Sequence, residues 1–195
     1  MRPLPHDTRL KILPALLFLE ALGYLDKFII GGSVALQVQG DIIPWRTIKD
    51  LDLILKENQA QNVTAISDYL SSNEGSLDRS ATLDIFRDFT IDIFPKMTDI
   101  ETETLIIPIP LTNIKLKVEV LHYSFILQEK FKYLMEDKCS MTAGEKHAKD
   151  LAYACKKGFF SEKKYNKIPD YFRVYSVNST SPTSEDDYNQ DDLPF

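Results

Sequence analysis

Asp50 and Asp52 stand one residue apart inside an apolar run made of Ile48, Leu51, Leu53, Ile54 and Leu55, and Asp92 sits between Ile91 and Ile93. Both runs read as β-strands. Residues i and i+2 of a strand leave from one face, roughly 6.5–7 Å apart along the backbone. Two carboxylates at that spacing converge on a pair of divalent ions about 3.5–4 Å apart, the arrangement used for in-line phosphoryl or nucleotidyl transfer. Isolated Asp-X-Asp triplets are common in solvated turns. This one lies in an apolar strand, where a carboxylate is costly unless a cation or solvent meets it. Asp84 and Asp88 compete with Asp92 for the place of third acid. Asp92 is preferred, being flanked by apolar strand residues on both sides.

Shortly before the acidic strand, Phe28-Ile29-Ile30 forms a short apolar strand that runs into Gly31-Gly32-Ser33. A helix over Ser33–Gln39, closed by Gly40, follows. A strand that turns through glycines into a helix leaves backbone N–H groups unpaired at the turn, and glycine lets a ligand approach them closely. That is a phosphate-binding device, with Ser33 adding a hydroxyl. Phosphates held there would be bridged to the carboxylates by Mg²⁺, a hard cation that prefers oxygen ligands.

The elements that must position these groups follow from the rest of the chain. Its 195 residues, 44% of them hydrophobic, suffice for one ordinary domain with a helical appendage. The pattern predicts a helix from Asp7 with Asp7 or Thr8 as cap and Pro14 as a kink or first turn, then the 28–30 strand and the 33–39 helix. A strand over Ile48–Lys56 and a helix over 59–70 come next, with a turn region at 71–80. Strands over 82–87 and 89–94 form a hairpin or bulged pair, and strands over 105–109 and 114–121 precede helices at 123–137 and about 144–157. This order predicts an α+β fold, a mixed β-sheet flanked by helices. The expected divisions are a core over 1–121, a helical region over 122–174 and a disordered acidic tail over 175–195, whose composition buries too little apolar surface to offset ordering entropy.

Charge and cysteine usage narrow the class further. The formal net charge is −6, yet residues 115–167 are rich in lysine, as expected beside an acidic centre that handles a polyphosphate or nucleic acid. Cys139, His147 and Cys155 are spaced too widely for a zinc site and lack a fourth ligand, which makes the thiols structural. The run Leu16-Leu17-Phe18-Leu19 is far too short to span a bilayer, and no secretory pattern opens the chain, so a cytoplasmic protein without membrane association is expected.

The stretches Phe28-Ile29-Ile30-Gly31-Gly32-Ser33-Val34-Ala35-Leu36 and Arg46-Thr47-Ile48-Lys49-Asp50-Leu51-Asp52-Leu53 resemble the signature of the DNA polymerase β-like nucleotidyltransferase superfamily. The look is that of its AbiEii-type branch, with one extra residue in each stretch. The likeness extends to Asp92 in Thr-Ile-Asp-Ile-Phe-Pro, to Lys130 and to Lys149-Asp150. It implies a nucleotidyltransferase-like core in which Asp50, Asp52 and Asp92 coordinate Mg²⁺, Asp92 helping to activate the acceptor hydroxyl. Gly31, Gly32 and Ser33 would position the phosphates of a nucleoside triphosphate, and Lys130 would neutralise the departing pyrophosphate. Arg46 either joins the site or pairs with a nearby carboxylate, and Asp150 either joins it or braces its helix. The activity implied is transfer of a nucleoside monophosphate to a hydroxyl on RNA, protein or a small molecule. A toxin-like role is known in the branch.

The last five residues, Asp191-Asp192-Leu193-Pro194-Phe195, resemble the C-terminal tip of bacterial single-stranded DNA-binding protein. In that family the terminal Phe enters an apolar pocket while basic residues take the acids. The likeness implies attachment to replication or repair proteins. It also supplies the competing function, a catalytically silent adaptor recruited through its tail.

Overall fold

Asp50–Leu55 forms the strand around which the sheet is built. The structure, a computed structural model, describes residues 6–40, 42–43, 48–57, 81–86, 89–109, 112–136 and 140–173, with the backbone alone over 6–11, 81–86 and at 89. Helix α1 (His6–Ala21) and a 3-10 turn (Leu25–Lys27) precede β1 (Phe28–Ile30) and α2 (Gly32–Val38). Five strands follow: β2 (Asp50–Leu55), β3 (Ala81–Phe86), β4 (Phe89–Phe94), β5 (Thr102–Pro108) and β6 (Lys115–Leu121). Helices α3 (Tyr123–Met135), α4 (Met141–Lys156) and α5 (Glu162–Tyr165) come last.

The six strands form one mixed sheet in the order β3-β4-β2-β1-β6-β5. β2 pairs antiparallel with β1 and parallel with β4, and β1 pairs parallel with β6. The hairpins β3/β4 and β5/β6 supply the outer strands. β1 is buried along its whole length, as a central strand covered on both faces must be, which is why it reads as an unbroken apolar run. β6 alternates instead: Leu116, Val118 and Val120 are buried while Lys115 and Lys117 are exposed. In α1 the buried stripe is Ile12, Ala15, Leu16 and Leu19. Pro14 lies well inside the helix on its exposed side, where the hydrogen bond that proline removes is least needed.

Element boundaries differ from the sequence pattern where tertiary pairing overrides it. α2 opens at Gly32 and closes at Val38, with Gln39 as its cap. β5 starts at Thr102 because Thr102 pairs with Leu121 at the end of β6. The β3/β4 register shifts between Asp84 and Phe86, as a bulged pair requires. α4 starts at Met141 because Ser140 caps it, its Oγ accepting from the Ala143 N–H at 3.4 Å. The short helix α5 has no counterpart in the pattern. The helix expected over 59–70, the turn at 71–80 and the tail over 175–195 lie outside the described residues, as do Arg46 and Cys139.

Contacts gather the chain into two units, Met1–Glu129 and Lys130–Phe195, the division falling within α3. The sheet and the helices α1 and α2 make the first. In the second, Leu134, Ala148, Leu151, Ala154, Ile168 and Phe172 are buried. Gly144 is required there, since a Cβ would lie 2.0 Å from the Phe172 ring. Among the described residues no helix is long and apolar enough to cross a membrane.

Candidate active site

β2 and β4 run parallel with Asp50 opposite Thr90 and Asp52 opposite Asp92. Leu51, Leu53, Ile91 and Ile93 are buried to 2% exposure or less. The three aspartates and Thr90 are half-buried on the other face. Register partners on neighbouring strands lie about 4.8 Å apart and point the same way, so Asp52 and Asp92 are side by side with Asp50 one pleat further along. Thr90 repeats on β4 the i, i+2 relation that Asp50 and Asp52 have on β2. That parity was the available signal for it, and a threonine does not attract attention as an acid does.

Gly31 closes the site from the next strand. Its N–H donates to the Asp52 carbonyl at 2.8 Å, which fixes the glycine turn beside the acidic strand. Gly32 takes φ +55, and a Cβ there would lie 1.6 Å from Asp52 Oδ2. The Asp52 carboxylate therefore rests against the bare Cα of Gly32. Ser33 is only 3% exposed, so it offers the turn its backbone N–H rather than a hydroxyl in solvent. α2 is seven residues long, too short for its dipole to matter much, and any grip on an anion comes from the N–H groups of the turn itself.

The far end of α2 is fastened by Gln39, which sequence reasoning did not single out. Its Nε2 donates to the Ala35 and Leu121 carbonyls at 2.9 and 2.8 Å, and its Oε1 accepts from the Tyr123 N–H at 3.0 Å. One side chain thus ties α2 to the exit of β6 and the start of α3. At the opposite end of β2 from Asp50, Lys56 pairs with Glu119 at 2.7 Å, and Thr102 Oγ1 donates to Glu119 Oε1 at 2.7 Å. Burial pushes the Glu119 carboxyl up, but the bonds from Lys56 and Thr102 and the lysine charge outweigh it and hold it below the ordinary value.

Lys130 belongs to the second unit. Its ammonium lies 2.9 Å from Asp150 Oδ2 and 3.1 Å from His147 Nδ1. Lys130 is 8% exposed and Asp150 fully buried, so the pair joins α3 to α4 inside that unit. His147 also stands edge-on to Tyr133, ring centroids 5.2 Å apart. Cys155 is a free thiol pushed up to about 11 by burial and by Glu162, which leaves it protonated and unreactive at neutral pH.

Among the described residues, no three His, Cys, Asp or Glu side chains close into a ready-made metal cage. The three aspartates share a face without enclosing a cation. An all-oxygen, partly open donor set nonetheless fits Mg²⁺, which keeps several waters and completes its shell with substrate phosphates.

No family model matches the chain, and no curated protein matches it. Among solved structures, that of the antibiotic-resistance factor ANT(2'')-Ia in solution, described as revealing substrate-regulated conformation dynamics, is similar. The TM-score is 0.52 at 19% sequence identity, over 88% of this chain and 95% of that one. Likeness at that identity is likeness of fold. The α+β, nucleotidyltransferase-like fold expected from the sequence is the fold of this chain.

Proposed function

We propose that this chain is a Mg²⁺-dependent nucleotidyltransferase, moving a nucleoside monophosphate from a nucleoside triphosphate to a hydroxyl on RNA, protein or a small molecule. The observation that carries this reading is the Asp52 carboxylate, in register with Asp92 and resting on Gly32. Acid and phosphate-gripping backbone then share one corner, where a triphosphate has both its cation and its donors at hand. The likeness in fold to a nucleotidyltransferase supports the same reading.

In this reading Asp50, Asp52 and Asp92 hold Mg²⁺, which when bound neutralises phosphate charge and polarises the phosphorus under attack. Gly31, Gly32 and the Ser33 N–H orient the phosphates. Asp92 takes the acceptor proton as the acceptor oxygen bonds to the α-phosphorus, and the bond from that phosphorus to the bridging oxygen breaks to release pyrophosphate. The Lys130 ammonium, which the resemblance assigns to the charge of that leaving group, is engaged by Asp150 and His147 within the second unit.

The test is incubation with each labelled nucleoside triphosphate, Mg²⁺ and a panel of RNA, protein and small-molecule acceptors. Label should move to an acceptor with the native chain and not with Asp50→Asn/Asp52→Asn. Absence of transfer across the whole panel would leave the adaptor reading, in which Asp191, Asp192, Leu193, Pro194 and Phe195 recruit the chain to replication or repair proteins. Growth arrest on expression, relieved by the same two substitutions, is the expected outcome for a toxin-like role.

A further inference from the structure

The second unit carries Lys156, Lys157, Lys163, Lys164 and Lys167 within twelve residues that hold one acid, Glu162, in a chain of net charge −6. All five lysines are exposed. They stand on ordered backbone. α4 ends at Lys156, Gly158 reverses the chain at φ +78, and the N–H groups of Phe159 and Phe160 donate back to the Ala154 carbonyl at 2.8 and 3.3 Å. α5 begins at once, with the N–H groups of Lys164 and Tyr165 donating to the Ser161 carbonyl, both at 3.0 Å. The Lys167 N–H donates to the Lys164 carbonyl at 3.0 Å. That turn bond keeps Lys167 close to Lys163 and Lys164 just past the end of α5.

Cations at the C-terminal end of α4 are favoured by its dipole, which accounts for Lys156 and Lys157. It does not account for Lys163 and Lys164, which sit on a four-residue helix, or for Lys167 in the turn after it, and like charges so close repel one another. Such a cluster becomes favourable when a polyanion lies on it. Half-buried aromatics separate the lysines: Tyr153, Phe159, Phe160 and Tyr165, with Lys156 Nζ 5.5 Å from the Tyr153 ring centroid. Ammonium groups alternating with partly exposed rings match a flexible strand whose phosphates take the charges and whose bases lie on the rings.

We infer that this surface binds single-stranded nucleic acid along its phosphodiester backbone. Resting on the transferase reading above, the inference makes the acceptor class a nucleic acid rather than a small molecule. RNA and DNA share the backbone chemistry, and the experiment separates them.

The full chain carrying Asp50→Asn/Asp52→Asn is titrated against labelled single-stranded RNA, single-stranded DNA and polyglutamate of equal length, by fluorescence anisotropy across a salt series. RNA or DNA should bind, with log affinity falling against log salt by about 0.7 per phosphate neutralised. Lys156→Gln/Lys163→Gln/Lys167→Gln should weaken binding about ten-fold or more and flatten that slope by about 2. The matching arginine triple should retain both. Equal thermal midpoints for the two triples exclude a folding effect. Lack of binding at low salt, an unchanged slope in the glutamine triple, or polyglutamate bound as tightly as RNA overturns the inference. If the native chain binds RNA yet transfers no label to any acceptor, the transferase reading falls while the surface stands. Transfer to a small molecule without nucleic-acid binding has the reverse meaning.

Discussion

Gly32 is where a single atom decides most. A methyl group there meets the Asp52 carboxylate at 1.6 Å, and φ +55 disfavours any side chain. The carboxylate is the free end of a side chain and can swing away, so the fold loses only about 1–2 kcal/mol for the backbone strain. The site loses more, because displacing a reacting group by about 1 Å costs on the order of 10²-fold in rate. Gly32→Ala should therefore cut kcat/KM about a hundred-fold or more while a urea titration detects a modest loss of stability. Gly31→Ala is the contrast, since its Cβ would meet Ile54 Cδ1 at 3.3 Å and Asp52 Cβ at 3.5 Å, with an ordinary backbone angle. It should retain most activity. Equal effects from the two alanines would remove the argument that the carboxylate leans on Gly32. That Asp50, Asp52 and Asp92 lie on one face was legible in the sequence, because strand parity converts spacing into a shared face. The burial of Ser33 was not legible, because it depends on the α2 geometry that follows the turn.

At the scale of elements, the type of the strands and of the longer described helices was readable, whereas their ends and the short α5 were not. Alternation in β6 and the unbroken apolar β1 announced an exposed-face strand and a central one. The start of β5 was hidden because Thr102, Glu103 and Thr104 carry no apolar pattern, and their strand state comes from pairing with Leu121, Val120 and Glu119. The same pairing creates the Lys56–Glu119–Thr102 network, which ties the end of β2 to β5 and β6. Its energetics depend on pH with a definite sign. The folded Glu119 carboxyl lies below its ordinary value of 4.5, so the network contributes in full above that pH and fades as pH falls through the lower, folded value. Glu119→Gln should lower the stability read from urea unfolding at pH 7, by less than about 1 kcal/mol for a partly solvated pair. The gap between native and variant chains should close as the pH is brought down past 4.5. A gap that persists or widens in acid would mean that packing rather than charge holds this corner.

For the molecule as a whole, charge is what makes the proposed activity dependent on a divalent cation. The chain is net −6, and the corner assigned to the triphosphate adds three carboxylates on one face. A triphosphate brought there without a cation meets like charge from the protein locally and overall. A contact between unit charges about 4 Å apart is worth about 1 kcal/mol in water and about 4 kcal/mol near a protein surface. Removing carboxylate charge should then have opposite consequences in the two conditions. In EDTA, Asp50→Asn/Asp52→Asn should bind a nucleoside triphosphate about ten-fold more tightly than the native chain, because repulsion has been relieved. In Mg²⁺ the order should reverse, because the variant has lost the groups that hold the bridging ion. Thermal shift reads both, since a ligand at about a hundred times its Kd adds about 2.7 kcal/mol to the folded state. The crossing of the two curves carries the claim. A native chain that binds the triphosphate equally well with and without Mg²⁺ would place the phosphates away from Asp50, Asp52 and Asp92.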